Sequence, residues 1–389
     1  MGEITDFSGR LLHTMKTLNY AATAILVVLV FYLLNAGEGL LLPLVIAITL
    51  WYLINTLASA FARIRIGVFH FPKPICLMAS LLSFILAIWG LINFLSSTFG
   101  DVLDVADQYQ INLITRLQNF PLINLADFEG QTPTELLGSW INLPSFLASL
   151  ASSFTGILTS GGIILIYTSF LFLEQGQLRS KIAALVGNPE EEENVQKILK
   201  RVRDDIQKYI SIKFFTSSMT GILSYTFLRL VEVDFAGVWG LLIFLLNFIP
   251  TVGSIIATIF PAMIALAQSD GYSLFFLVLI GIGVLQICIG NILEPRLMGS
   301  SFNLSPIIIL LNLGLWNYIW GIPGMFLCVP FLIIITIVLS HFPQTRRIAI
   351  MLSSDGRLRV PLDKTMGTFG IEPTKSLLPP DQAGNPDKD

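Results

Sequence analysis

The sequence predicts an all-α integral membrane protein of about eight membrane segments, two of them broken or re-entrant helical hairpins in the C-terminal half. Three observations carry this expectation. Hydrophobic residues make up 54% of the chain and charged ones 13%, with a mean hydropathy of +0.74; a soluble domain carries about twice that charge. The apolar residues fall in runs of roughly 20, the length that crosses a ~30 Å hydrocarbon core. Two later runs, 235–269 and 297–340, carry no charge and are too long for one simple crossing. The first is interrupted across 247–254 and the second across 321–324, each by glycine and proline.

Candidate spans cover 19–36, 39–61, 74–98, 151–173, 214–231, 235–268, 272–291 and 305–340. The first reads as a retained span, because Asp6, Arg10, His13 and Lys16 precede it, no small-residue cleavage site follows, and further spans come after it. Arg10 and Lys16 before the first span, and Arg63, Arg65 and Lys73 between the second and third, place both regions in the cytoplasm. Acids dominate 99–150, where Asp101, Asp104, Asp107, Asp127, Glu129 and Glu135 face the single base Arg116. That segment is expected to be an external loop forming a small helical cap. The fourth span returns the chain to a basic cytoplasmic stretch that includes Arg179, Lys197, Arg203, Lys208 and Lys213.

A helix is predicted to start there, with Asn188 as cap, Pro189 at its first position and Glu190 to Glu193 against the positive end of its dipole. Its apolar stripe, Val195, Ile198, Val202, Ile206 and Ile210, fits the inner membrane surface, a neighbouring subunit or the helix's own domain. The chain thus divides into membrane spans forming a scaffold (1–98), the external loop (99–150), a span, amphipathic helix and next span (151–231), a broken-helix transport region (232–345) and a proline-dotted cytoplasmic tail expected to be disordered (346–389).

Span parity leaves two topologies. If each broken run crosses once, the 292–304 loop is external; if each is a hairpin, the loop is cytoplasmic, with Glu232, Asp234 and Asp270 outside and Arg296 inside. Positive-inside bias favours the hairpins.

Catalytic and nucleotide-binding motifs are missing: the sequence has no HExxH, GxSxG or GxxxxGK[ST] pattern. No catalytic residue, cofactor or metal site is expected, nor an ATP-driven pump; transport by this chain alone is expected to run on the solute's own gradient or on an ion gradient. Cys76, Cys288 and Cys328 lack CxxC spacing and read as small buried hydrophobes, and His13, His70 and His341 lie far apart. The expected partners are the lipid bilayer and a small polar solute, not nucleic acid.

Broken apolar segments can offer backbone groups to a polar ligand without placing a formal charge in the membrane. In the first break, Asn247, Thr251 and Ser254 add side-chain hydrogen-bonding groups beside Pro250 and Gly253, and Pro261 reads as a second interruption. In the second, Gly321, Pro323 and Gly324 allow bending and close approach. Gln286 and Asn291 lie between the two breaks. Helix packing is the alternative role for any one of these positions. Glu294 at a membrane edge is a candidate for ion coupling together with Arg296, the alternative being a local Glu294–Arg296 pair that fixes the loop.

Three motifs then resemble the AI-2E family of bacterial membrane proteins, autoinducer-2 exporters and their relatives. They are Asn247-Phe248-Ile249-Pro250-Thr251-Val252-Gly253, then Asn291-Ile292-Leu293-Glu294-Pro295-Arg296-Leu297-Met298-Gly299, then Gly321-Ile322-Pro323-Gly324 leading to Val329-Pro330. The position after Pro250, often aromatic in the family, is Thr251 here. The charge pattern and span parity place both termini in the cytoplasm. The resemblance implies a bacterial inner-membrane permease, a homo-oligomer of five protomers with one pathway each, and elevator-like movement of the broken helices against the earlier spans. It leads to export of a small polar organic molecule, autoinducer-2-like, as the expected function. A Na+(Li+)/H+ antiporter and a non-transporting envelope scaffold are the alternatives.

Overall fold

A computed structural model describes residues 24–63, 72–118, 159–177, 189–299 and 303–356, together with positions 21, 22, 145, 149, 152, 156, 180, 181, 184 and 185. Among the described residues the protein consists of helices and the turns that join them, with one isolated antiparallel bridge between Leu304 and Ser353. Four helices are long and apolar enough to cross a membrane: Glu38–Ala62, Pro74–Phe94, Ser273–Met298 and Pro306–His341.

The N-terminal part is α1 (Ala24–Ala36), α2 (Glu38–Arg63), α3 (Lys73–Gln118) and α4 (Gly161–Glu174). Ser80 of α3 donates its hydroxyl to the Ile54 carbonyl of α2 at 2.8 Å, which satisfies a buried hydroxyl that nothing in lipid could serve. At 46 residues α3 is about 69 Å long, roughly twice what a hydrocarbon core needs. The apolar third span ends at Phe94, close to the expected boundary, but its helix does not stop there. It runs on as one helix through the first part of the expected external loop, whose remaining stretch and helical cap lie outside the described residues.

A second overlong helix, α5 (Pro189–Leu230), joins the amphipathic segment to the fifth span without a break. Its predicted cap Asn188 and the base Arg179 before it lie outside the described residues. The apolar stripe packs inward, with Ile206 and Ile210 buried in the main core and Ile198 and Val202 against it, so it covers its own domain rather than the membrane surface.

The C-terminal half contains α6 (Ala236–Leu246), α7 (Val252–Gln268) and α8 (Ser273–Gln286), which widens into a π-helix over Ile287–Leu293 and continues as α9 (Glu294–Met298). It closes with α10 (Pro306–His341) and α11 (Arg346–Leu352). The main core sits here, built on Trp239, Ile243, Ala265, Ile282, Trp316 and Cys328. Residues 25–33 of α1, by contrast, are exposed apolar side chains, as lipid-facing surface would be.

Three expectations are corrected. Helix α7 passes through Pro261 without interruption, the buried ring being accommodated inside the helix. The segment after 346 opens with α11, and Ser305 N–H donates to the Leu352 carbonyl at 3.0 Å, tying that helix to the start of α10; residues 357–389 of the expected tail lie outside the described residues. No disulfide joins the three cysteines, and only Cys76 and Cys328 are buried, whereas Cys288, also expected to be buried, is exposed.

Candidate functional site

The 236–268 run doubles back on itself. Gln268 fastens its two ends together, donating from Nε2 to the Glu232 carbonyl at 2.7 Å and accepting the Asp234 N–H at Oε1 at 2.9 Å. From this root, α6 and α7 lead to a tip at 247–251. The tip is strained: Thr251 has φ 57 and ψ −60, and the Val252 N–H reaches the Pro250 carbonyl at 2.5 Å, a γ-turn of the rare positive-φ kind centred on a β-branched residue. Such strain costs about 1–3 kcal/mol and clusters at ligand sites. Gly253 is required by close approach, since a Cβ there would lie 1.8 Å from the Leu246 carbonyl oxygen. Ser254 Oγ donates to the Thr251 carbonyl at 2.8 Å, so it serves the turn itself.

The C-terminal half of α3 braces the root of this hairpin. Tyr109 Oη donates to Asp234 at 2.7 Å, Asn112 Nδ2 to the Ala267 carbonyl at 3.3 Å, and Arg116 pairs with Asp270 at 2.7 Å. Desolvation, then the bond to Asp234, pushes the Tyr109 phenol well above its usual pKa, so it remains a donor across the physiological range.

The α10 run also doubles back. Trp320 and Gly321 depart from helical geometry, Gly321 at φ 60, which suits a residue without a Cβ. Across the fold, Asn312 Nδ2 donates to the Cys328 carbonyl at 2.6 Å and the Trp316 ring stacks on Phe331 with centroids 4.0 Å apart. A Cβ on Gly324 would lie 2.2 Å from the Trp316 carbonyl oxygen. At the tip, Trp320 Nε1 donates to the Leu34 carbonyl of α1 at 3.0 Å. Gly321 and Pro323 face a cavity of about 750 Å³ that Asn35, Glu38 and Pro43 close from the α1–α2 side.

The first hairpin's tip points at α5. Asn247 Nδ2 donates to Ser217 Oγ at 2.9 Å, and Phe248 stacks on Phe326 of the second hairpin with centroids 5.9 Å apart. One turn below Ser217, Lys213 Nζ binds both oxygens of Glu294, at 2.8 and 3.0 Å. Thr216 Oγ1 lies 3.3 Å from Glu294 Oε2 and 3.2 Å from the Lys213 carbonyl, so its one proton can serve only one of them at a time. The side chains of Lys213 and Glu294 are only 8% and 13% exposed. Desolvating both charges largely offsets their attraction, so a pair like this is poor evidence for stability and better evidence for a working site.

The predicted local pair of Glu294 with Arg296 is therefore corrected: Glu294 is held by Lys213, and Arg296 is exposed. The other predicted residues fall into two places instead of one. Asn247, Pro250, Thr251, Gly253 and Ser254 form the first tip, close to the Lys213–Glu294 pair, whereas Gly321, Pro323 and Gly324 form the second tip beside α1 and α2. Pro261 lies in the core, and Asn291 is exposed. Gln286 is buried where α8 becomes π-helical, with its Nε2 lacking a hydrogen-bond partner. The sequence reading missed Lys213, Thr216, Ser217 and Thr220, all buried on one face of α5. Their i, i+3, i+4, i+7 spacing at the entry to an apolar stretch was the available clue.

The profile of the AI-2E family transporter matches residues 22–344. TqsA, the AI-2 transport protein of Escherichia coli K12, is 29% identical over 318 residues, covering 81% of this chain and 89% of TqsA. YhhT of the same strain, named as a candidate transport protein, is 26% identical over 325 residues, 82% of this chain and 89% of YhhT. Because the matched region takes in every helix from α1 to α10, both hairpins and the Lys213–Glu294 pair included, the chain belongs to the AI-2E family of membrane transporters.

Proposed function

We propose that this protein is a secondary transporter that exports a small polar organic solute, autoinducer-2-like in kind, by elevator-like movement of its two hairpins against the α1–α4 scaffold. The observation that carries the proposal is the pair of doubled-back hairpins, one of which brings a strained polar tip to a buried ion pair on α5. The AI-2 in the name of the TqsA relative supports the choice of solute. Both runs are taken as re-entrant in a bacterial inner membrane, the first from outside and the second from the cytoplasm, with both termini cytoplasmic. The Gln268 root of the first hairpin and the closeness of Ser305 to Leu352 at the second support that arrangement. Five protomers with one pathway each are expected from the family resemblance.

The buried Lys213–Glu294 pair favours a second reading, Na+(Li+)/H+ antiport with Glu294 as the coupling carboxylate, since intramembrane ionisable groups mark ion paths. One preparation separates the two. Sealed proteoliposomes are assayed for flux of an autoinducer-2-like solute and for a sodium-dependent pH change, with Pro250→Ala/Gly253→Leu alongside. Saturable solute flux lost in that variant supports the carrier; a sodium-dependent pH response without solute flux, absent in Glu294→Gln, replaces it with the antiporter. The topology has its own check. A cysteine at Arg296, in a chain lacking Cys76, Cys288 and Cys328, is expected to react with an impermeant maleimide only in inside-out vesicles. Labelling from the outside alone would defeat the double hairpin.

A further inference from the structure

A groove of about 1020 Å³ runs between α5 and α6, with Phe94 of α3 as a third wall. The α5 side is Ser218, Gly221, Ile222, Tyr225 and Arg229, one face of the helix. The α6 side is Gly237, Gly240, Leu241 and Phe244, running back down. Its floor is a glycine crossing: a Cβ on Gly240 would lie 2.6 Å from the Tyr225 Cβ, and one on Gly221 2.7 Å from the Phe244 Cβ. Neither hairpin tip nor the Lys213–Glu294 pair contributes to it.

The groove is graded from end to end. Apart from Ser218 its deep part is apolar and aromatic, while all its charges, Arg229, Glu232 and Asp234, gather at the mouth, where each is exposed. From Ser218 to Arg229 is 11 residues of helix, about 16 Å, which matches half of a ~30 Å hydrocarbon core. A slot one leaflet deep, dry below and charged above, has the profile of a phospholipid. The charges select among phospholipids. Among the described residues no hydrogen bond or ion pair engages the Arg229 guanidinium, leaving its fork for a phosphate. Glu232 and Asp234 repel an anionic headgroup and suit a primary ammonium.

We propose that this groove is a binding site for one phospholipid with a zwitterionic, ammonium-bearing headgroup, phosphatidylethanolamine in chemical class. Arg229 holds its phosphate, Glu232 and Asp234 its ammonium, and an acyl chain lies along Ile222 and Tyr225 above the glycine crossing. The bound chain fills the space between α3 and the first arm of the first hairpin.

The test uses the full-length protein in vesicles of equal phosphatidylethanolamine and phosphatidylglycerol, released into mild detergent, with retained phospholipid counted per protomer by native mass spectrometry. Wild type is expected to keep about one phosphatidylethanolamine in preference to phosphatidylglycerol. Arg229→Gln is expected to lower retention about tenfold, the scale of one charge-assisted bond. Glu232→Gln is expected to bring the two lipids toward parity. Ile222→Trp, which fills the slot at an exposed position, is expected to displace both lipids while the thermal melt is unchanged. Equal retention of the two lipids by wild type, or full retention by Arg229→Gln, would overturn the assignment. So would disulfide trapping between copies carrying Arg229→Cys at the mouth, since a second copy of the chain would then occupy the groove.

Discussion

Lys213→Met is expected to destabilise the folded transporter by about 3–5 kcal/mol, because it leaves the Glu294 carboxylate buried without its partner. Glu294→Gln is expected to cost less, since the amide oxygen still accepts from Lys213 Nζ, but to leave an uncompensated ammonium. The double variant Lys213→Met/Glu294→Gln should be far more stable than the two single effects added together, the mark of direct coupling. Thermal melting in detergent measures the cycle, and proteoliposome flux separates the two roles. If the pair works in coupling, the double variant regains stability without regaining transport. Additive stability effects under about 1 kcal/mol each would show that the pair is an incidental contact.

The second large effect concerns the two glycines that let the hairpins close. Gly253→Ala places a methyl 1.8 Å from the Leu246 carbonyl oxygen, and Gly324→Ala places one 2.2 Å from that of Trp316. Both obstacles are backbone, which cannot rotate aside, so each tip must open. Overpacking of this kind costs about 1–3 kcal/mol or more. Each single substitution is expected to abolish flux while the protein still reaches the membrane. Gly283→Ala is the matched control: nothing lies within 4 Å of the added carbon, and alanine suits a helix interior better than glycine by about 0.5–1 kcal/mol. Normal flux in Gly253→Ala, at wild-type levels in the membrane, would remove the first tip from the pathway.

Both breaks were legible in the sequence because proline and glycine write directly on the backbone: Pro250, Gly253, Gly321 and Gly324 all sit at or beside the turns. The same rule misled at Pro261, where packing on both sides lets a helix keep its course. Helix lengths were less legible. The change from apolar to acidic residues near Asp101 was read as the end of the membrane span, which it is, but it does not end the helix, and nothing before Pro121 in the sequence forces the chain to stop. Lys213 was hidden by its neighbours, standing last in a basic run that read as a topology marker. Its partner lies 81 residues along the chain, a relation that no local pattern encodes.

The continuity of α3 bears on any movement of the hairpins. Near one end this helix is fastened to α2 through Ser80; near the other it grips the root of the first hairpin through Tyr109, Asn112 and Arg116. If the hairpins move as proposed, one unbroken rod would serve as the suspension between frame and carriage. A carriage hung this way could not slide freely. Its travel would be limited by how far the stretch between Ser80 and Tyr109 flexes, and that stretch contains Gly90, Ser96, Ser97 and Gly100, the residue types at which helices bend. The stroke length of the transporter would then be set by a leaf spring in the scaffold, well away from the residues that touch the cargo.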